Sequence, residues 1–204
     1  MLPQDLHIHT VYSSGDSAVV PEQTIDLIRK VRHARTIGIS DHFEYLVDKE
    51  TFSKYEKEVR AAGFKLGMEV SGHALVSEAV KRSNDYFVYH CLRKEDYTAL
   101  EHLLATKKPV IIAHPLILGT DLNMIPPECY IEINNRYIWQ SNWRAGLYNH
   151  VHRCKFVVSS DAHQPHWLNQ NMARAVCREL GIRESLIFSD LKEEVLLMTR
   201  NSLN

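Results

Sequence analysis

Two histidines spaced i, i+2 open the chain in Asp-Leu-His-Ile-His-Thr (5–10), and a histidine or an acid then closes one short apolar run after another. The runs are Ile-Gly-Ile-Ser-Asp-His (37–42), Leu-Gly-Met-Glu (66–69), Tyr-Phe-Val-Tyr-His (86–90), Val-Ile-Ile-Ala-His (110–114) and Phe-Val-Val-Ser-Ser-Asp-Ala-His (156–163). On an extended strand, side chains two apart leave the same face, so His7 and His9 can bind one ion, and Asp161 and His163 repeat that geometry. Glu69, His90 and His114 each end an apolar stretch, where a carboxylate or imidazole must be paired, solvated or ligated. So many imidazoles and carboxylates in one place would be unfavourable without cations to organise them. The pattern predicts a multinuclear metal centre. Imidazole mixed with carboxylate suits Zn, Mn or Fe better than Mg or Ca.

The elements that must position these groups follow from the same runs. Apolar stretches of this length read as buried parallel strands, expected near 5–9, 36–40, 65–69, 85–90, 109–114, 130–134 and 155–160. Between them lie segments with helical spacing: 22–33, with Ile25, Ile28 and Val31 on one face after Pro21, then 52–62, 74–82 and 95–105. Two more, 169–180 and 191–200, would close the outer layer. Alternating β and α implies right-handed crossovers in a parallel sheet. An open sheet gathers ligands from a few strand ends at its switch point, whereas a barrel brings every strand end onto one rim. The expected fold is therefore α/β, a distorted (β/α)7 barrel formed as a single domain over 1–204. A regular barrel of this kind has eight strands and about 250 residues.

Bulk properties narrow the function further. A net charge of -1 and a pI near 6.9 offer no electrostatic footprint for nucleic acid or an anionic membrane. No apolar run approaches the roughly 18 to 20 residues of a membrane span. Cys91, Cys129, Cys154 and Cys177 lack any paired zinc-finger spacing and read as reduced thiols. The expectation is a cytoplasmic protein with neither a nucleic-acid nor a membrane partner.

The ordered motifs resemble those of the polymerase and histidinol phosphatase (PHP) superfamily of metal-dependent phosphoesterases. Asp-Leu-His-Ile-His-Thr is similar to that family's opening HxH motif and Ser-Asp-His (40–42) to its second. Gly-Met-Glu (67–69), the strand end at His90, Ala-His-Pro (113–115) and Ser-Asp-Ala-His (160–163) are similar to the later ones, so the likeness spans nearly the whole chain. The resemblance implies a TIM-like (β/α)7 barrel holding two or three divalent transition-metal ions. It assigns His7, His9, Glu69 and Asp161 to one ion, with Glu69 bridging to a second that adds His90 and His114. Asp16, His42 and His163 fall to a third. Asp16 sits in Ser-Ser-Gly-Asp-Ser, where the family often has Ser-Asp-Gly, so the loop spacing differs there.

The expected activity is hydrolysis of a small phosphomonoester, similar to histidinol phosphate, with Glu69, Asp161 and His163 as the catalytic set. A hydroxide shared between two ions would attack phosphorus in line, since coordination lowers the pKa of water from 15.7 towards about 7. Neither a GxSxG elbow nor a Walker loop is present. Other readings are a non-catalytic metal-binding module, a phosphodiesterase or nuclease acting on nucleotides, and an amidohydrolase-like reaction. The last commonly uses a bridging lysine, and no Lys ends a core strand here. Arg136, after the sixth strand, could grip a phosphate in bidentate fashion, and His166 lies near enough to the rim to touch substrate. Tyr12, Asn134 and Asn135 are further candidates for the lining. Asp5, two residues before His7, is placed to accept a ring N–H from a ligating histidine. His33, His73, His102, His150 and His152 read as surface or capping residues.

Overall fold

Strands rich in Val, Ile, Tyr and Phe can be buried on both faces only if helices cover the outside and other strands close the inside. The computed structural model, which describes residues 1–188, satisfies both requirements. Its strands are β1 (Leu2–Asp5), β2 (Ala34–Ile39), β3 (Lys65–Ser71), β4 (Tyr86–His90), β5 (Val110–Ile112), β6 (Tyr130–Asn134) and β7 (Lys155–Ser159). They form one sheet in chain order, every neighbouring pair parallel, curled into a nearly closed seven-stranded barrel. The helices are α1 (Ile25–Val31), α2 (Lys49–Ala61), α3 (Val76–Ala79), α4 (Lys94–Ala105), α5 (Pro115–Leu118), α6 (Trp143–Tyr148) and α7 (Asn171–Leu180).

Local chemistry sets the helix limits, which differ from expectation at two places. The first helix is shorter than 22–33, because Thr24 caps it by accepting from Leu27 N and Arg32 ends it in the left-handed region at φ 44°. The stretch expected as a helix at 74–82 is a 3-10 turn followed by the single turn of α3. The expected helix at 191–200 lies outside the described residues. Among the described residues no helix is long and apolar enough to cross a membrane. Cys91, Cys129 and Cys177 are buried free thiols, and Cys154 is half-buried.

Two cores hold the barrel. The larger lies between sheet and helices and includes Ile28, Ile39, Phe52, Tyr55, Val59, Leu66 and Leu103; full burial of each such side chain contributes about 1.5–3 kcal/mol. The smaller fills the interior with Leu6, Tyr86, Val88, Ile111, Ala113 and Val157. Tyr86 lies against Gly38 and Gly67, where a Cβ would collide with its ring, and donates to Leu6 O at 2.7 Å.

Seven strands leave a seam between β1 and β7. At the rim it closes through the segments following the strands, with Asp161 N donating to His7 O and His9 N to Ala162 O, both at 2.9 Å. Deeper down, the Gln170 side-chain amide bridges the gap, donating to Gln4 O at 2.9 Å and Val158 O at 3.0 Å. At the base, Ser185 N pairs with Phe156 O, while the Gln4 side chain donates to Ser185 O and accepts from Ile187 N. Ile187 and Phe188 then pack against the interior core, Phe188 edge-on to Tyr86. A short run of chain and two glutamines thus stand in for an eighth strand.

Candidate metal centre

The rim at the carboxyl ends of the strands gathers His7 and His9 from beyond β1, His42 from beyond β2, Glu69 from β3 and His90 from β4. His114 comes from beyond β5, and Asp161 and His163 from beyond β7. Three overlapping groups could each hold a metal ion: His7, His9 and Glu69; Glu69, His90 and His114; and His9, His42 and His163. Glu69 is the hub. Its Oε1 lies 2.6 Å from His90 Nε2, 3.1 Å from His7 Nε2 and 3.5 Å from His114 Nε2, and its Oε2 lies 2.8 Å from His42 Nδ1 and 3.4 Å from His9 Nε2. Asp161 Oδ1 is 3.5 Å from His9 Nε2, 3.7 Å from His7 Nε2 and 3.3 Å from His163 Nδ1.

Asp16 joins the third group despite the altered spacing of its loop. Its Oδ2 lies 2.9 Å from His163 Nε2 and 3.4 Å from His42 Nε2, while its Oδ1 accepts from Ala18 N. Gly15 permits this path, since a Cβ there would run into the ring of Tyr45. His9 stands between the first and third groups, its ring centroid 4.1 Å from that of His163 and 4.4 Å from that of His42.

The rings are aimed from behind. His7 Nδ1 donates to Glu132 Oε1 at 2.7 Å, His9 Nδ1 to Ser13 Oγ at 3.2 Å, and His163 Nδ1 to the carbonyl of Asp161 at 2.9 Å. Each bond fixes one tautomer and turns Nε2 inward, as a ligating histidine requires. Ser13 Oγ also donates to Asp41 Oδ1 and accepts from His42 N, and Asp41 takes both the N–H and the hydroxyl of Thr10. Asp41 thereby ties the HxHT loop to the Ser-Asp-His segment; its burial pushes its carboxyl up to about 6 against these hydrogen bonds.

Glu132 and Asn134 of β6 form a platform beneath the cluster. Glu132 Oε2 accepts from His114 N at 2.7 Å and from Asn134 Nδ2 at 3.0 Å, and the same Asn134 nitrogen reaches Asp161 Oδ2 at 3.0 Å. Asn134 Oδ1 accepts from Arg136 N and Tyr137 N. One strand without a ligand of its own therefore braces residues at the ends of β1, β5 and β7. Two of the braced positions have left-handed backbones, His114 at φ 25° and Asp161 at φ 53°; for the bulky His114, which also precedes Pro115, that is a strained conformation at the site.

The electrostatics fit bound cations. Asp16, Glu69, Glu132 and Asp161 face the single guanidinium of Arg136, so with neutral imidazoles the cluster holds three negative charges in excess. Burial disfavours charge on His7, yet Glu132, Asp161 and Glu69 raise its pKa well above the usual value. Burial and the neighbouring His163 lower His9 to about 3. For Glu69, burial is outweighed by His90, His7 and His9, which hold the carboxyl well below the usual range. The cluster balances itself only by protonating rings whose nitrogens point at carboxylates. Glu69 Oε2 and His42 Nδ1 lie 2.8 Å apart, yet both are buried without a hydrogen-bond partner. Metal ions would satisfy those atoms and replace the protons.

Some expectations are corrected. Asp5 does not support a ligating histidine: one layer below His7, its carboxylate accepts from His33 Nε2 at 2.8 Å and Ser160 N at 3.0 Å. His33 is accordingly no surface residue but a nearly buried partner of Asp5. The carboxylate that orients His7 is Glu132, which sequence reasoning missed although Glu132 and Asn134 alternate with Ile131 and Ile133 on one strand. His166 is exposed beside Trp167, outside the cluster. Tyr12 packs edge-on to Tyr55, whereas Asn135 does line a recess beside Arg136 and also caps the start of α7 by accepting from Met172 N and Ala173 N. Arg136 does reach the rim, its Nη1 lying 3.0 Å from His163 Nε2 and 3.7 Å from Asp161 Oδ1. No family model and no curated protein matches the chain.

Proposed function

We propose that this protein is a metal-dependent phosphoesterase of the PHP kind that hydrolyses a small phosphomonoester, using two or three ions of Zn, Mn or Fe. The observation that carries the reading is the position of Arg136. Its guanidinium, 3.7 Å from Asp161 Oδ1 and 3.0 Å from His163 Nε2, sets a fork of N–H donors at the edge of a cluster suited to cations, and a phosphoryl group is an anion that both recognise. Glu69 would bridge, with His7, His9 and Asp161 on one side and His90 and His114 on the other, and His42, His163 and Asp16 would hold the third position. Bound there, the cations would supply Lewis acidity, lowering the pKa of a coordinated water and offsetting charge on the phosphoryl oxygens.

The chain's own residues supply position. Glu132 and Ser13 keep His7 and His9 in the tautomer that presents Nε2. Arg136 orients the phosphoryl group at the edge formed by Asp161 and His163. Burial of Glu69, at 1% exposure, keeps its carboxylate from exchanging partners with bulk water. Among the described residues the cluster contains no cysteine or serine aimed at its centre as a nucleophile, which favours direct attack by water.

Protein stripped of metal and reloaded with Mn or Zn should release phosphate from para-nitrophenyl phosphate faster than from bis(para-nitrophenyl) phosphate. Glu69→Gln should lower that turnover by about 10³-fold or more while the folded circular dichroism spectrum is kept. Wild-type turnover in the mutant, or a loaded protein inert towards every phosphate ester, rules the reading out.

A further inference from the structure

Beside the cluster, and sharing Arg136 with it, the rim opens into a recess of about 500 Å³. Tyr137, Trp139, Trp167 and Met172 supply its apolar surface. Trp139 and Met172 are 63% and 51% exposed, a large apolar area to leave in water at the mouth of a site. The walls are nonetheless fixed in advance. Trp139 Nε1 donates to Arg136 O at 2.8 Å, and Asn135, itself bonded to Asn169, anchors the α7 turn that carries Met172.

Arg136 stands at the junction. Its guanidinium carbon lies 4.8 Å from the Tyr137 ring centroid and 5.1 Å from that of Trp167, while its Nη1 points to Asp161 and His163. A phosphoryl group held by Nη1 therefore leaves its ester substituent facing aromatic walls. Charge narrows the choice further: no Asp or Glu lines the recess, whereas Arg136 does. An ammonium group there would meet a cation and no counter-charge.

We infer that the alcohol portion of the substrate is an uncharged planar ring, aryl or heteroaryl, seated between Trp139 and Trp167, rather than an amino alcohol. This rests on the phosphoesterase reading for its phosphate end and revises the histidinol-like expectation for the other. Aromatic stacking and apolar burial both favour such a ring, and two tryptophans with a methionine form a preorganised cleft for it.

Three non-hydrolysable probes test the assignment without turnover: benzylphosphonate, propylphosphonate and 2-aminoethylphosphonate, titrated calorimetrically into the manganese-loaded protein. Benzylphosphonate should bind about 10-fold more tightly than propylphosphonate, with 2-aminoethylphosphonate weakest. In Trp139→Ala the benzyl advantage should collapse to about 2-fold or less, and Trp139→Phe should restore most of it. Equal affinities for benzyl and propyl probes, or 2-aminoethylphosphonate binding as tightly as benzyl, overturns the inference. Hydrolysis of benzyl and propyl phosphates, whose leaving alcohols are of similar acidity, separates the two readings. Turnover of both without a benzyl preference leaves the phosphoesterase standing and removes the ring site. Preferential benzylphosphonate binding with neither ester hydrolysed does the reverse.

Discussion

Glu69 at the rim and Glu184 at the base are both shielded from water, with side chains 1% and 10% exposed, yet their carboxyls shift in opposite directions. Burial opposes ionisation in both. At Glu69 it is overcome by His90, His7 and His9, which drive the pKa down. At Glu184 it prevails over Arg174 at 2.9 Å and the Gln4 amide at 3.1 Å, and the pKa rises. The difference lies in the partners. An imidazolium can release its proton to water and take a metal ion in its place, whereas a guanidinium and an amide cannot make that exchange. At the rim the partners of the buried carboxylate can change state, and at the base they cannot.

Glu132→Gln is the sharpest way to break this contrast, because it keeps an acceptor for His114 N but removes the charge behind His7. Metal affinity, measured by competition with a chelator, should fall about 10- to 100-fold, with urea stability of the metal-free protein changed far less. Equal affinity in mutant and wild type would make Glu132 a structural residue only. Next in size, Gln170→Ala should lower the unfolding free energy by about 1–2 kcal/mol, since Gln4 O and Val158 O lose the donor that spans the seam. Metal stoichiometry should stay the same, and a parallel loss of metal would show that seam and rim are not independent.

The smallest effect is expected from Glu184→Gln. The folded pKa of Glu184 is raised above its unfolded value near 4.5, so the stability it confers is complete below that pH and is lost as pH rises through the folded value. The mutant, neutral throughout, should match wild type in acid and become the more stable of the two towards neutrality. A wild type that stays ahead at pH 7 would show that the Arg174 pair outweighs burial.

Much of this arrangement was legible in the residues. Six of the seven strands could be located because each is an apolar run bounded by a polar residue, whereas β1, expected near 5–9, lies at Leu2–Asp5 in Leu-Pro-Gln-Asp and leaves His7 and His9 beyond its end. Glu69, His90, His114, Asp161 and His163 could be found because they stand at or just past such ends. Glu132 stands inside a strand, and only its placement among neighbours reveals what it holds. Asp5 misled for a related reason: two residues along a strand keep the face but change the layer, and its layer holds His33 rather than the cluster. The short α3 escaped because helical spacing persists through a segment whose ends lack caps. The seam was invisible, since side-chain amides replacing backbone pairing carry no periodic signal.

The pairing of His7 with Asp161 and of His9 with Ala162 has a consequence for biosynthesis. A nascent chain carries His7, His9 and Glu69 long before Asp161 and His163 have been added opposite them. Until the ribosome passes that point, the group that needs His163 is incomplete and Asp161 is missing beside His7 and His9, although the groups of His7, His9 and Glu69 and of Glu69, His90 and His114 are already synthesised. On the proposed reading, a full complement of ions would therefore be taken up only after the first and last strands meet.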